Sequence, residues 1–494
     1  MKNVKLIVFI LIALAIFAFA RIGCKVLSEQ TWEPVPDGLN FEIVDGKSVT
    51  ITSYTKNTPI QIPEQIRGLP VTAIGEGAFS SSICGSLTSI TLPSSITFIG
   101  DEAFSRCYSL ASITIPASVT SIGNRAFSRC DSLANIIIPP SVTSIGDRTF
   151  EYCGSLASIT LPSSVTYIGN SAFVYCTSLT NIAIPSSVTY IGNSVFFYCT
   201  SLTSITILSP VTSITYEMFR DCESLASITL PSSVTTIENY AFSNCGSLTS
   251  ITLPSSVTYI GRGAFYDCVS LTSITLPSSV TYIGIDAFYG CSSLTDVTIP
   301  SSITSIGINV FTRCSSLTDV IIPSSVTSIE YRAFFECESL TSITIPSSVT
   351  IIEGSVFSGC GSLMSITVDS QNPVYTSIDG VLFDKTLQTI IAYPAGRDAN
   401  TYQIPSSVTV IGDGAFGGSN NLTSITVPSS VTIIEGWAFM DCVSLADVTI
   451  PSSVTSIGEL AFRDCKSLKS ITISRHTLIG EHAFPRSTQI IYRD

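Results

Sequence analysis

The chain is 494 residues long, carries a formal net charge of −13, and has charged side chains at only 12% of its positions. Nucleic-acid binding normally requires a basic stripe, and none is visible in the sequence. Apolar residues make up 45% of the chain and recur at fixed intervals, which excludes intrinsic disorder. A chain of this length normally forms several compact domains, unless its units stack into one elongated array.

The first 23 residues have the pattern of an export signal. Lys2 and Lys5 precede an unbroken apolar run of 15 residues, residues 6–20. A membrane-spanning helix needs about 20 apolar residues, so this run is too short for a comfortable span. We therefore predict a signal peptide over residues 1–23 and an exported protein.

The form of the mature N-terminus has two main alternatives. The Ala-Phe-Ala of residues 18–20 is a small-x-small cleavage site, which favours clean release with Arg21 as the new first residue. Cys24 instead ends a segment that resembles a bacterial lipobox, in which the cysteine is lipidated. Arg21 fits poorly at the position where a lipobox usually has leucine. An uncleaved anchor is a third alternative.

After an N-terminal lead-in or cap over residues 24–70, a block of 23 residues recurs through residues 71–368. Its prolines keep this step from Pro93 to Pro346, with Leu208 in the one vacant position. Self-similarity at such a period is the signature of a stacked solenoid. We predict a β-rich, right-handed solenoid of the α/β type, with about 17 repeats along the whole chain.

The unit over residues 271–294 shows how one repeat should fold. Ile274 and Leu276 share one face with Thr275 pointing outward between them, as in a short strand that pairs in parallel with its counterparts. Pro277 lacks an N–H group and should end that strand. A second extended stretch should follow on another side of the coil.

The end of the same unit should form a single helical or 3₁₀ turn that drives Phe288 into the core. Several repeats begin this turn with a residue whose side-chain oxygen could accept hydrogen bonds from the first free N–H groups of the turn. These residues are Asp101, Asn124, Asp147, Asn170, Asn193 and Asp413.

Sixteen cysteines would normally suggest a disulfide framework in an exported protein. From Cys84 to Cys360, however, they follow the 23-residue step, so each lies at the same point of its turn. Equivalent side chains point the same way, whereas a disulfide needs converging Cβ vectors. We expect buried thiols that fill small apolar spaces. The sequence contains no C-x-x-C pair, so nothing in it indicates a zinc site.

Residues 369–404 interrupt the repeats. A hairpin that lengthens one turn accounts for the extra residues, with Asp379–Gly380 or Ala395–Gly396 as candidate turn positions. Repeats resume over residues 405–494, where Gln489–Tyr492 should form a capping strand.

The consensus L-x-x-I-x-[IL]-P-x-S-V-x-x-I-G-x-x-A-F-x-x-C resembles the BspA-like leucine-rich repeat. The similarity extends over roughly residues 41–490, and the Y-x-S-I-D-G-V-L-F sequence of residues 375–383 is similar to an insertion that members often carry. The resemblance implies a leucine-rich-repeat horseshoe. It also implies a surface protein of the kind found in oral and gut bacteria and some parasitic protists, with a role in adhesion.

The sequence offers no catalytic chemistry. Only two histidines, His476 and His482, are present as candidates for general acid–base catalysis. Neither a G-x-S-x-G elbow nor a phosphate-binding glycine loop occurs. We expect no enzymatic activity, no cofactor and no metal site.

Two sets of outward residues are candidates for binding. The threonines Thr229, Thr252, Thr275 and Thr298 belong to a near-continuous row, which either favours β-structure and solubility or forms a hydroxyl-rich track for protein or glycan. The tyrosines Tyr167, Tyr190, Tyr259 and Tyr282 occupy the variable position of V-T-x-I-G, and more tyrosines lie near the cysteine position. Tyrosine is favoured at interfaces, although lateral stacking that merely seals the edge is an equal alternative.

These observations lead to three hypotheses for an exported protein that is either secreted or held at the cell surface or outer envelope. The first is recognition of protein ligands on host cells, matrix or other cells, which is the adhesion that the resemblance implies. The second is a structural spacer of the envelope, and the third is binding of glycans. Contact with a membrane is expected only through the N-terminal signal or anchor.

Overall fold

The computed structural model describes residues 34–80 and 84–493. The predicted signal peptide and Cys24 lie outside these residues. Within them the chain forms a parallel β-solenoid of about 19 turns spaced about 23 residues apart, with almost no helix. The predicted fold class is therefore confirmed. The number of turns exceeds the predicted repeats because Ile60–Gln61 of the lead-in and Gln489–Arg493 at the end each add a strand to the stack.

The N-terminal lead-in is a small sheet that continues into the solenoid. Its strands are Leu39–Val44, Ser48–Tyr54, Gln65–Ile66 and Leu69–Ile74. The first two pair antiparallel, and Ser48–Tyr54 pairs in parallel with Leu69–Ile74. Because Leu69–Ile74 then pairs in parallel with Phe98–Ile99, the cap adopts the direction of the turns that follow.

The first ladder contains one strand from each turn, formed by the S-I-T segment before the repeat proline. Equivalent residues pair in register, as Ile251 with Ile274 and Ile274 with Val297. The ladder consists of sheets of 12, 2 and 5 strands. Its strands are Ile60–Gln61, Ser89–Thr91, Ser112–Ile113, Asn135–Ile137, Ser158–Thr160, Asn181–Ile184, Ser204–Ile207, Ser227–Thr229, Ser250–Thr252, Ser273–Thr275, Asp296–Thr298, Asp319–Ile321, Ser342–Ile345, Ser365–Val368, Thr401–Gln403, Ser424–Thr426, Asp447–Thr449, Ser470–Ser474 and Gln489–Arg493.

The second ladder consists of two-residue strands that follow the repeat proline, each with an outward residue and then an inward isoleucine. Its strands are Phe98–Ile99, Ser121–Ile122, Ser144–Ile145, Tyr167–Ile168, Tyr190–Ile191, Ser213–Ile214, Thr236–Ile237, Tyr259–Ile260, Tyr282–Ile283, Ser305–Ile306, Ser328–Ile329, Ile351–Ile352, Val410–Ile411, Ile433–Ile434, Ser456–Ile457 and Leu478–Ile479. The hydrogen-bonded pairing of this ladder is interrupted after Ser121–Ile122, Tyr190–Ile191, Tyr282–Ile283 and Ile351–Ile352.

The third side of each turn, which we call the turn face, runs through the A-F-x-x-C segment. As predicted, this segment turns Phe288 into the core, and it contains bonds of the 3₁₀ type such as Ala287 N–H to the carbonyl of Gly284. It does not form a helix, and Cys84–Ser86 is the one 3₁₀ helix in the described residues. Asp286, Phe288 and Gly290 donate their N–H groups to Ile308, Val310 and Thr312 of the next turn. A helix would use those N–H groups within its own segment.

The residues that begin the turn face also bond differently from the prediction. The side-chain oxygen of Asn124 accepts the N–H of Asp147 at 2.8 Å, and that of Asp147 accepts the N–H of Asn170 at 2.7 Å. Each side chain therefore ties its turn to the equivalent residue of the next turn instead of capping its own. The predicted cap was wrong, although the predicted chemistry of the acceptor was right.

Stacked apolar columns fill the interior. The phenylalanine rings lie nearly parallel, for example Phe127 and Phe150 with ring centroids 5.7 Å apart and planes at 4°. The cysteines from Cys107 to Cys465 are buried beside them and form no disulfide in the described part of the chain. Their predicted burial as small fillers is confirmed.

The insertion is a three-stranded meander. Tyr375–Ile378 pairs antiparallel with Val381–Asp384, which pairs with Thr389–Ala392. The predicted turn at Asp379–Gly380 is confirmed, with φ of 49° and 78° at these residues. The turn face nevertheless continues past the insertion, because Ser355 and Gly359 donate their N–H groups directly to Asp413 and Gly417.

Candidate recognition surface

The four second-ladder tyrosines point outward because side chains alternate along a strand and the following isoleucine enters the core. Tyr167 and Tyr190 pair in register, with ring centroids 4.8 Å apart and planes at 7°. Tyr259 and Tyr282 form a second pair, at 4.9 Å and 9°. Between 36% and 48% of each tyrosine remains exposed. We call these the tyrosine pairs.

The structure separates the four tyrosines into two sites. Ser213 and Thr236 occupy the same column in the two intervening turns and carry no ring. Because stacked turns advance by roughly 4.8 Å, equivalent rings of the two pairs lie about 19 Å apart. The hydrogen-bonded ladder is also interrupted between Tyr190 and Ser213. The tyrosines are therefore two matched patches on one face.

Hydroxyl groups beside the tyrosine pairs are mostly engaged by the backbone. Thr258 and Thr281 donate their hydroxyls to the carbonyl oxygens of Thr235 and Thr258 in the preceding turns, at 3.3 and 3.2 Å. The hydroxyls of the four paired tyrosines make no hydrogen bond within residues 34–80 and 84–493. The tyrosine hydroxyls therefore remain available to a partner, while the threonine hydroxyls beside them are bonded to the preceding turns.

The surroundings of Tyr167 and Tyr259 raise the pKa of both phenols. Partial burial, with smaller contributions from Asp147 and Tyr190, raises the pKa of Tyr167. Burial also raises the pKa of Tyr259, assisted by Tyr282 and Glu238. Both groups therefore remain protonated at neutral pH and can donate as well as accept hydrogen bonds.

The predicted threonine row lies on the first ladder. Thr229, Thr252, Thr275 and Thr298 pair in register and are all exposed. Their hydroxyls form no hydrogen bond among the described residues. After Thr298 the same column has Ile321, which is 72% exposed. This row is thus a track of free hydroxyls that ends at an apolar side chain.

The structure does not bring the threonine row and the tyrosine pairs together. They belong to different ladders, separated in each turn by the corner at the repeat proline. A single small ligand therefore cannot be expected to contact both. Cys24, the possible lipidation site, lies outside the described residues.

The tyrosines that the sequence placed near the cysteine position form an arrangement with arginine that was not predicted. Tyr152 stacks on Tyr175 with ring centroids 4.5 Å apart, and the tilted rings of Tyr175 and Tyr198 have centroids 4.6 Å apart. The guanidinium carbon of Arg129 lies 4.6 Å from the centroid of the Tyr152 ring. The signal was an arginine or tyrosine directly before the cysteine in successive repeats. The common direction of these side chains was not recognised because it depends on the left-handed backbone of the turn face.

None of the helical segments in residues 34–80 and 84–493 is long and apolar enough to cross a bilayer. The parallel ladders, the in-register columns and the open outward faces define a solenoid of leucine-rich repeats.

Comparison with known proteins identifies the family. The model of the BspA type Leucine rich repeat region matches residues 72–202, 190–318, 281–401 and 392–492. The chain belongs to this family, as the consensus predicted. No significant match was found among curated proteins.

Solved structures of bacterial leucine-rich repeat proteins are similar to this chain. A leucine-rich repeat protein from Bacteroides ovatus is 25% identical, and its alignment covers 94% of this chain and 100% of that chain with a TM-score of 0.58. A leucine rich cell surface protein from Faecalibacterium prausnitzii is 23% identical over 94% of this chain and 96% of that chain, with a TM-score of 0.39.

Proposed function

We propose that this protein is an exported, non-catalytic recognition protein that binds a partner protein on another cell or on matrix through the two tyrosine pairs. The observation that carries the proposal is the exposure of four ordered aromatic rings with unbonded hydroxyls, arranged as two stacked pairs on one face. Tyrosine contributes apolar contact area together with a hydroxyl, which is why it is enriched in binding hot spots.

The rigidity of this face favours binding. Each ring is held against its neighbour, and the adjacent threonine hydroxyls are bonded to carbonyl oxygens of the preceding turn. Side chains that are ordered before binding lose less conformational entropy on association. Two equivalent pairs about 19 Å apart could also engage a repetitive partner twice, which raises the apparent affinity.

The proposed location is the cell exterior, supported by the signal-like sequence of residues 1–23. Mass spectrometry of the mature N-terminus distinguishes the two anchoring hypotheses. A chain that begins at Arg21 supports release, whereas a lipidated Cys24 supports a lipoprotein. A chain that retains residues 1–20 supports the uncleaved anchor.

The binding proposal is tested by probing a panel of immobilised matrix proteins and a glycan array with the full chain. A variant in which Tyr167, Tyr190, Tyr259 and Tyr282 are all replaced by Ser is then compared on each probe that binds. We expect binding to a protein probe to fall at least about tenfold, since the four rings represent several hot-spot contacts. The circular dichroism spectrum should not change.

A matched control replaces Ile351 and Ile433 by Ser, since both are exposed and occupy the same column. An equal loss of binding in this control would show that general apolar area matters and not the tyrosines. Unchanged binding by the tyrosine variant would remove the pairs as the site. Binding only to glycans would favour the glycan hypothesis.

A spacer role is distinguished by deleting two whole repeats in register. Removing residues 158–203 eliminates Tyr167 and Tyr190, whereas removing residues 296–341 shortens the array equally without removing any of the four paired tyrosines. A recognition protein should respond only to the first deletion. A spacer should respond equally to both, because length alone determines its role.

A further inference from the structure

A second surface lies on the turn face, away from the tyrosine pairs. Arg106, Arg129, Tyr152, Tyr175 and Tyr198 each directly precede the cysteine in five consecutive turns. All five have left-handed backbone, with φ between 59° and 65°, and each donates its N–H to a carbonyl of the following turn. Identical backbone geometry aims these side chains in the same direction, one turn apart. We call this line the arginine–tyrosine column.

Contacts along the column are continuous from Arg129 onward. Its guanidinium carbon lies 4.6 Å from the centroid of Tyr152, a distance suited to a cation–π interaction. Tyr152 stacks on Tyr175 at 4.5 Å, and Tyr175 contacts Tyr198 at 4.6 Å. The column spans five turns, so it extends about 19 Å from the first residue to the last. It is a preformed line with a cationic end and an aromatic end.

The cationic end is available to an anion. Arg106 and Arg129 are both exposed, and no carboxylate in the described part of the chain lies within ion-pair distance of either guanidinium. Glu151 accepts a hydrogen bond from Ser128. Asp131 is exposed and interacts electrostatically with Arg129 from beyond ion-pair distance. Neither arginine is therefore held in an ion pair.

The tyrosine end of the column argues against a single-stranded nucleic acid as the anionic ligand. Single-stranded nucleic acids bind by stacking bases on open aromatic faces. Here the faces of Tyr152 and Tyr175 are covered by each other and by Arg129, so a base cannot stack between them. The ring edges and hydroxyls remain, and these hydroxyls form no hydrogen bond among residues 34–80 and 84–493. Phenolic hydroxyls are suited to the hydroxyl groups of sugars.

We propose that the arginine–tyrosine column binds a linear sulfated polysaccharide. Arg106 and Arg129 form charge-assisted hydrogen bonds with sulfate groups, because the planar guanidinium matches the oxygens of an oxyanion. The tyrosines bind the following sugar units through their hydroxyls. This site shares no residue with the tyrosine pairs on the second ladder. A negative result for the column would therefore not contradict the proposed function, and the reverse also holds.

The test measures binding of heparin oligosaccharides to the full chain at low and at physiological ionic strength. The main variant combines Arg106→Asn and Arg129→Asn, because asparagine tolerates left-handed backbone and removes the charge. We expect affinity to fall about tenfold or more, which corresponds to a loss of about 1.4 kcal/mol. Tyr175→Phe keeps the stacked ring and should weaken binding about threefold through the lost hydroxyl.

Arg313→Asn is the matched control. Arg313 occupies the same position before its cysteine and has φ of 60°, but its Nε lies 2.8 Å from Glu336. Its charge is already neutralised, so heparin affinity should not change. Binding of wild-type chain should also weaken as salt rises, because exposed charges are screened beyond about 8 Å at 0.15 M.

Four results would overturn the proposal. They are no binding of heparin, equal binding of chemically desulfated heparin, an equal loss in Arg313→Asn, and equal or tighter binding of a single-stranded DNA oligonucleotide. Circular dichroism of each variant verifies that the solenoid is intact, so that a loss of binding reports on the column.

Discussion

The thiol of Cys176 donates a hydrogen bond of 3.2 Å to the carbonyl oxygen of Phe150 in the preceding turn. The same bond recurs along the column, as from Cys199 to Phe173 and from Cys268 to Phe242. The cysteines therefore do more than fill space, because each thiol joins its turn to the preceding one. The acceptor carbonyl also accepts a backbone N–H of its own turn, as that of Phe150 does from Cys153, so the thiol adds a second bond to it.

The first prediction concerns the reactivity of these thiols. Burial raises the pKa of Cys199 to about 12, and that of Cys268 to about 12, from an ordinary value of 9.0. Only the thiolate reacts with disulfide reagents, so these buried thiols should be nearly inert to them at pH 8. We expect the cysteines from Cys107 to Cys465 to react only after unfolding in guanidinium. Rapid reaction of any of these thiols in the native chain, located by peptide mapping so that Cys24 is distinguished, would contradict the buried column.

A second prediction follows from the one repeat that lacks the cysteine. Ser419 occupies that position, is 1% exposed, and its hydroxyl has no hydrogen-bond partner. A hydroxyl is shorter than a thiol and does not reach the acceptor. Ser419→Cys should restore the bond and raise the free energy of unfolding by about 1 kcal/mol.

The measurement for this variant is hydrogen exchange of amides in the surrounding turns, because the unfolding of stacked repeats is local. Cys176→Ser is the reciprocal variant and should accelerate exchange in its own turns. If Ser419→Cys left exchange unchanged, the thiol bond would have no net stabilising effect.

Much of this architecture could be predicted from the sequence, because the 23-residue period fixes which residues are stacked. The parallel register of Ile251 and Ile274, the burial of Phe288 and the turn at Asp379–Gly380 all follow from spacing and local turn chemistry. Each of these features depends on the alternation of inward and outward side chains along a strand or on a residue's own conformational preference.

The turn face could not be predicted in this way. Arg125, Tyr240 and Trp437 all adopt left-handed backbone although none of these residue types favours it. Hydrogen bonds to the next turn impose this conformation, so no local pattern reports it. Because these bonds run between turns, the predicted caps at Asn124 and Asp147 were wrong. The alignment of arginines and tyrosines in the arginine–tyrosine column was not predicted for the same reason.

The third prediction tests the packing of the insertion. A Cβ atom on Gly396 would lie 2.4 Å from the backbone carbon of Ser362 and 2.7 Å from the nitrogen of Leu363. Gly396→Ala therefore requires the backbone to move, and we expect a loss of about 1–3 kcal/mol in the free energy of unfolding. Hydrogen exchange near residues 361–363 should accelerate.

Gly361→Ala is the control for this variant. No atom lies within 4 Å of a Cβ built on Gly361, and its backbone is not left-handed. This substitution should be neutral, or stabilising by about 0.4–1 kcal/mol through the unfolded state. If both substitutions had the same effect, the close approach of the insertion to residues 362 and 363 would be incorrect.

The last prediction concerns Asp413, which joins the turns on either side of the insertion. Its carboxylate accepts a hydrogen bond from the Ser355 hydroxyl, and its carbonyl accepts the Ser355 N–H at 3.0 Å. Burial raises the pKa of Asp413 above its ordinary value of 3.8, and this outweighs the lowering by Ser355 and Arg332. The folded chain therefore holds this proton more tightly than the unfolded chain does.

The sign of the pH dependence follows from that difference. The contribution of Asp413 to stability is fully present below pH 3.8 and is lost as pH rises through the raised pKa of the folded state.

Asp413→Asn preserves an acceptor for Ser355 and removes the buried charge. We expect the variant to gain stability relative to wild type as pH increases from 3.5 to about 7, measured by denaturant unfolding across that range. A decrease in the relative stability of Asp413→Asn over the same range would mean that Arg332 and Ser355 dominate, and that the carboxylate is stabilised in its charged form.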